Sequence, residues 1–149
     1  MLTPLASIRI LVVDDFEPWR RSVRSMLKGR AEVQLVGEAA DGVEAVQKAS
    51  ELKPDLMLLD IGLPKLNGIE AARQIRQVAP ATKILFLTLV NDAEVARTAL
   101  SSGGHGWVLK SDAGSGLLPA IVALLQGEQY VSSGLAGRTQ TNRSLVLVN

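Results

Sequence analysis

Cysteine is absent from the 149-residue chain. That excludes disulfides, thiolate metal sites and cysteine nucleophiles, and it fits a reducing, cytoplasmic setting. Histidine is nearly absent as well. The single His105 stands between glycines and reads as an exposed loop residue, so a zinc site has little to draw on. Charge of one sign is not in excess: 16 Lys and Arg oppose 15 Asp and Glu, a net +1. No whole-chain basic surplus announces nucleic-acid binding. The local run of Arg20, Arg21, Arg24, Lys28 and Arg30 reads as a solvated helix face. The first apolar stretch ends early, at Asp14-Asp15, and is neither a signal peptide nor a membrane span. Repeats of solenoid length are missing, and the length leaves room for one ordinary domain.

What the chain does have is an alternation of two patterns, at 47% hydrophobic and 21% charged residues. Short, nearly continuous apolar runs at 8–13, 55–59, 83–87 and 107–109 suit strands buried on both faces, and 33–38 alternates as an edge strand does. Between them, 17–28, 41–52, 67–78, 92–101 and 117–126 carry apolar residues at helical spacing. Strand–helix alternation predicts βαβ units, hence an α/β fold with a central parallel sheet and helices on both faces. The tail from Val131 is rich in Ser, Gly, Thr, Asn and Arg and closes on the short apolar run 145–148.

In an open α/β sheet, ligands bind beyond the carboxyl ends of the strands. The residues that follow the apolar runs are Asp14 and Asp15, Asp60, Thr88 and Lys110. Strand ends are polar in general, but three acids, a hydroxyl and a lysine placed strand by strand form an unusual set. Three neighbouring carboxylates repel one another and call for a cation. Mg²⁺ (or Mn²⁺) matches an all-oxygen donor set that also engages phosphate oxygens. A carboxylate beside such an ion is able to attack a phosphoryl group and become an acyl phosphate. The three acceptor oxygens of that product match an ammonium and a hydroxyl, the chemistry of Lys110 and Thr88.

These residues resemble the receiver domain of two-component response regulators. The resemblance rests on Val12-Val13-Asp14-Asp15, Leu58-Leu59-Asp60-Ile61-Gly62-Leu63-Pro64, Asn67-Gly68, Leu87-Thr88 and Gly106-Trp107-Val108-Leu109-Lys110. It implies a (βα)₅ doubly wound, flavodoxin-like three-layer sandwich with a five-stranded parallel sheet in the order 2-1-3-4-5. It also implies that Asp60 is the phosphoacceptor and that Mg²⁺ is held by Asp14, Asp15, Asp60 and the backbone carbonyl of Gly62. Thr88 is then the switch hydroxyl, Lys110 the phosphate-binding lysine and Trp107 the switch aromatic. The partner implied is a sensor histidine kinase or a phosphotransfer protein. Phosphorylation would draw Thr88 inward, free space for Trp107 and change the surface of the fourth helix, fifth strand and fifth helix. The thin apolar stripe of 92–101 fits a loosely held helix there.

Several features depart from the common pattern or extend it. Lys110 is followed by Ser111 rather than Pro, so a trans peptide and a different loop are expected. The phrase Trp107–Ser111, with Gly127–Ser132 resembling a linker, is similar to the NarL/FixJ subfamily with LuxR-type helix-turn-helix output. The receiver-like unit is expected to take 1–127, leaving 128–149 as a linker-like tail with no output domain and no direct nucleic-acid or membrane contact. Leu89, after Thr88, is bulky enough to shield or obstruct the site. Leu117, Leu118, Ile121, Val122, Leu124 and Leu125 cover more than one helical face, enough for a homodimer contact through the last helix. The chain is expected to be no enzyme beyond self-catalysed phosphotransfer and dephosphorylation. A receiver fragment of a DNA-binding transcriptional regulator, and a receiver working by protein contact alone, stand as alternatives. A haloacid-dehalogenase-type hydrolase is disfavoured because Gly62 stands where that family needs a second Asp. A flavin or nucleotide module is disfavoured because Asp14 and Asp15 occupy the loop that should receive a phosphate.

Overall fold

The computed structural model describes residues 7–132 and 145–148. Seven strands and five helices follow one another as β1 (Ile8–Val13), α1 (Glu17–Leu27), β2 (Val33–Ala39), α2 (Gly42–Leu52), β3 (Leu56–Leu59), α3 (Gly68–Val78), β4 (Lys83–Thr88), α4 (Ala93–Ser101), β5 (Gly106–Leu109), α5 (Ala113–Leu125), β6 (Gln129–Ser132) and β7 (Leu145–Val148). The sheet order is β2-β1-β3-β4-β5-β6-β7, parallel throughout. The first five strands take the expected 2-1-3-4-5 order.

Period-two alternation builds the three layers. Leu11, Val13, Met57, Leu59, Ile84, Phe86 and Trp107 face one side, where they meet Ala45 and Ala49 of α2, Ala71, Ala72 and Ile75 of α3, and Ala96 and Ala99 of α4. Ile10, Val12, Leu56, Leu58, Leu85, Leu87 and Val108 face the other, against Val23 and Leu27 of α1 and Leu117, Ile121 and Leu124 of α5. A parallel sheet covered on both faces needs apolar residues at both phases, which is why these strands read as unbroken apolar runs. The small alanines of α2, α3 and α4 let those helices lie close to the larger strand side chains.

The helix starts are written locally. Asp41, Asn67 and Asp92 each accept a backbone N–H of the following turn, from Glu44, Glu70 and Glu94 respectively. Glu44 returns the favour by accepting the Ala40 N–H at 2.8 Å. Pro18 sits in the first turn of α1, where its missing N–H costs nothing.

Two stretches differ from expectation. α5 begins at Ala113, not 117, because a 3₁₀ turn at Lys110–Asp112 runs directly into it. Gly114 and Gly116 are poor helix formers in isolation, yet Gly116 is buried and a Cβ there would lie 3.3 Å from the Tyr130 hydroxyl. Close packing of α5 on β6 therefore overrides propensity. Residues 129–132, expected in the tail, form β6, with Tyr130 and Val131 paired to Gly106 and Trp107 of β5. Tyr130 is 1% exposed, and burying a large ring offsets the cost of ordering a short strand. The rest of the expected tail, at 133–144 and 149, lies outside the described residues. Among the described residues no peptide bond is cis, Lys110–Ser111 included, and no helix is long and apolar enough to cross a membrane.

Candidate functional site

The carboxyl ends of β1, β3 and β5 deliver Asp14, Asp15, Asp60 and Lys110 to one place. Each end is held by the sheet itself. The Asp14 N–H donates to Ala39 O at 3.0 Å, and the Asp60 N–H donates to Val13 O at 3.1 Å. One carboxylate oxygen from each of Asp14, Asp15 and Asp60 lies within 4.8 Å of the other two. Asp14 is buried, Asp60 half-buried and Asp15 exposed. The site thus runs from a dry floor to an open mouth.

Lys110 bridges two of these acids. Its Nζ lies 2.6 Å from Asp14 Oδ2 and 3.6 Å from Asp60 Oδ2. Among the described residues that buried oxygen has this ion pair but no hydrogen bond. Asp14 Oδ1 accepts the Phe16 N–H at 2.9 Å. Burial pushes the Asp14 carboxyl above its ordinary range, and neighbouring Asp60 adds to that, while Lys110 and the Phe16 N–H oppose it. Gathered carboxylates with one buried oxygen still lacking a directed partner fit an oxygen-coordinated divalent cation.

The loop after β3 is shaped by close packing. Asp60 Oδ1 accepts the N–H of Ile61 at 2.7 Å, leaving Oδ2 as the oxygen that faces Lys110. The Gly68 N–H donates to Ile61 O at 2.7 Å. A Cβ on Gly68 would lie 2.0 Å from the Asp60 carbonyl oxygen, so only glycine lets α3 begin this close to the acid. Gly62 is exposed with open space around it.

Thr88 ends β4 and is 1% exposed, with its hydroxyl accepting the Val90 N–H at 3.2 Å. Trp107 is fully buried on the α2-α3-α4 side, its ring centroid 6.0 Å from that of Phe86. Among the described residues its indole N–H has no hydrogen-bond partner, an arrangement that costs about 1–3 kcal/mol. Leu89 is 77% exposed.

Two contributors escape a sequence reading. Trp19 on α1 places its ring 5.1 Å from the Lys110 ammonium, a cation–π contact. Its position one helical turn after Asp15 was the available signal. Arg20 was expected on a solvated face but is largely buried. It donates from Nη1 to the Asp14 carbonyl at 2.5 Å and from Nε to Glu38 at 2.9 Å. Glu38 also pairs with Arg24, and Arg24 with Glu17. The network ties α1 to β2 beneath the acids, and only the juxtaposition of distant strands reveals it. His105 corrects another expectation. It is partly buried, and its Nδ1 accepts the Ile84 N–H at 3.0 Å. A flanking glycine signals a turn, but the ring folds back to close the open end of a ladder.

With this geometry in hand, comparison with known proteins is specific. The model of the response regulator receiver domain matches residues 10–122. The response regulator protein VraR of Staphylococcus aureus is 39% identical over 123 residues, which cover 82% of this chain and 58% of that protein. The chain therefore spans little more than half the length of the curated relatives it matches. The two-component response regulator of the LuxR family from Aurantimonas sp. SI85-9A1 superposes with a TM-score of 0.79 at 37% identity, covering 83% of this chain and 89% of that one. The signal receiver domain of the response regulator NarL from Mycobacterium tuberculosis also gives a TM-score of 0.79, at 27% identity, covering 83% and 100%.

Proposed function

This chain belongs to the response regulator receiver domain family, and from that premise we propose that it is a phosphorylation-controlled switch whose phosphoacceptor is Asp60. One observation carries the reading: Lys110 Nζ stands between Asp14 and Asp60 at the inner end of a carboxylate cluster that opens outward at Asp15. Asp60 is half-buried rather than sealed in, and its Oδ2 stands 3.6 Å from the Lys110 ammonium, the partner a phosphoryl group on that oxygen would need.

The chemistry follows from the chain's own groups. Asp60 Oδ2 is the nucleophile toward a phosphoryl group carried by the phosphohistidine of a sensor kinase or phosphotransfer protein. The acyl phosphate carries roughly −2 charge, and the Lys110 ammonium moves from Asp14 to meet it. A divalent cation, Mg²⁺ or Mn²⁺, held by Asp14, Asp15, Asp60 and the Gly62 carbonyl supplies the neutralising charge that lets anionic donor and carboxylates meet. Thr88 exchanges its local Val90 N–H for a phosphoryl oxygen and pulls the loop after β4 inward.

Trp107 and α4 transmit the change. The unpartnered indole N–H gives the ring a reason to exist in a second pose where it finds a partner. The fully buried residues of α4 are the two small ones, Ala96 and Ala99, with Val95 and Leu100 half-buried against the core, so a shift of the preceding loop moves it at low cost. A full reversal of the population from 1:99 to 99:1 takes about 5.5 kcal/mol of differential stabilisation. On α5, Val122 is 53% and Leu125 37% exposed, which supports pairing with a second copy through that helix. We take the transfer to be self-catalysed, with no separate substrate turned over.

The test is direct. The protein is incubated with Mg²⁺ and a small phosphodonor, and the intact mass is measured. Wild type is expected to gain one phosphoryl group and Asp60→Asn none. An equal adduct on the variant, or none on wild type across donors, overturns Asp60 as acceptor.

A further inference from the structure

The opposite end of the sheet holds a second set of groups that phosphotransfer does not use. Asp60 follows β3 and Thr88 ends β4 at the carboxyl edge, whereas His105 precedes β5 and Lys83 opens β4. An open crevice of about 620 Å³ lies there, lined in part by Arg73, Arg76, Gln77, His105 and Gln129. Among the described residues no carboxylate lines it. Among the described residues Arg76 and Lys83 take part in no salt bridge, while Arg73 pairs with Glu70.

The imidazole of His105 makes this more than a basic patch. The Ile84 N–H donates to Nδ1 at 3.0 Å, so Nδ1 must be the bare, accepting nitrogen. Turning the ring over would present carbon to that N–H and strand it. A neutral imidazole has one proton, so Nε2 carries it. Yet Nε2 faces Arg76 Nη1, at 3.3 Å, and a guanidinium nitrogen only donates. Two donors therefore point at each other across the crevice wall. Such a pair is satisfied when an acceptor, best an anion, sits beside them and takes a hydrogen bond from each.

We propose that this crevice binds a phosphate-class oxyanion, held jointly by the His105 Nε2–H and the guanidinium of Arg76. Lys83 adds positive field, and the planar fork of Arg76 suits two oxygens of one phosphate. Burial, followed by the charges of Lys83 and Arg76, holds the His105 imidazole down at about 4. That keeps it a neutral donor near pH 7, and an anion at Nε2 would raise it. The site lies apart from Asp60 and does not depend on the phosphoacceptor reading.

Nitrogen-15 NMR of the full chain tests it. Without ligand, His105 is expected as the Nε2–H tautomer; an Nδ1–H tautomer overturns the proposal. Inorganic phosphate, titrated in a chloride-free buffer, is expected to shift the His105 ring and the Gly104 and His105 amides saturably. Arg76→Gln, at a surface position where the fold should hold, is expected to weaken that binding about tenfold or more, the loss of a charge-assisted contact. Shifts confined to the Asp60 end, or unchanged affinity in Arg76→Gln, overturn the site. Adenosine monophosphate in a parallel titration distinguishes sources: tighter binding than phosphate at the same residues assigns a phosphate monoester, and equal binding assigns the free anion.

Discussion

The Lys110 ammonium lies closer to Asp14 than to Asp60, 2.6 Å against 3.6 Å. In the unphosphorylated protein the lysine therefore serves the buried acid first. Asp14 is 1% exposed, and a carboxylate in that setting needs a counter-charge.

Removing that counter-charge should be costly. Lys110→Met is expected to lose about 3 kcal/mol of stability, the range for breaking a buried ion pair from one side. The double variant with Asp14→Asn should recover most of it, since neither half is then left charged. Urea denaturation of the four proteins in a double-mutant cycle measures the coupling. Additive losses would mean that the pair is not interacting.

Trp19 is expected to hold the lysine in place. Trp19→Leu removes the ring under the ammonium, a contact worth about 0.5–2 kcal/mol, and should slow adduct formation on Asp60. Trp19→Phe retains an aromatic face and should recover most of the rate. Equal rates in Leu and Phe variants would reduce Trp19 to packing. The fluorescence of Trp19 should also change on phosphorylation, because the ammonium leaves its ring; Trp107→Phe isolates that signal.

Gly68→Ala places a methyl 2.0 Å from the Asp60 carbonyl oxygen. α3 must then back away from the loop. We expect a stability loss of about 1–3 kcal/mol together with a slower phosphoryl adduct, read by denaturation and by intact mass. Gly62→Ala, with open space around it, should leave stability nearly unchanged.

His105 gives stability a pH dependence of defined sign. Its folded value is held at about 4, below the ordinary 6.5. The unfolded chain therefore takes up the proton first as pH falls. Stability is complete above 6.5 and is lost as pH falls from there toward 4, by about 3 kcal/mol at most. His105→Asn keeps an acceptor for the Ile84 N–H and should flatten that part of the profile. Saturating phosphate should move the loss to lower pH in wild type only if the crevice does not prefer the protonated ring; the anion proposal expects the loss to shrink instead.

Much of the molecule was legible in its residues. The five strand–helix units were readable because a doubly covered sheet demands apolar residues at both phases, and Asp41, Asn67 and Asp92 mark helix starts that need no tertiary partner. The acids, Thr88 and Lys110 were readable because each follows its strand. What was not readable depended on packing between distant segments. α5 starts before its apolar pattern does, since Gly116 is selected by Tyr130 rather than by helix propensity. Arg20 looks like any surface arginine until β2 brings Glu38 beside it. His105 looks like a turn residue until the Ile84 N–H needs an acceptor.

The sequence by itself determined which groups stand at the carboxyl edge of the sheet, because strand ends are set by local hydrophobic pattern. Tertiary structure alone decided how those groups are shared: Lys110 leaning to Asp14, Trp19 beneath the ammonium, Gly68 pressed to the Asp60 carbonyl. Contacts of that kind join residues far apart in the chain, and their distances come from how whole elements pack, which no local pattern encodes.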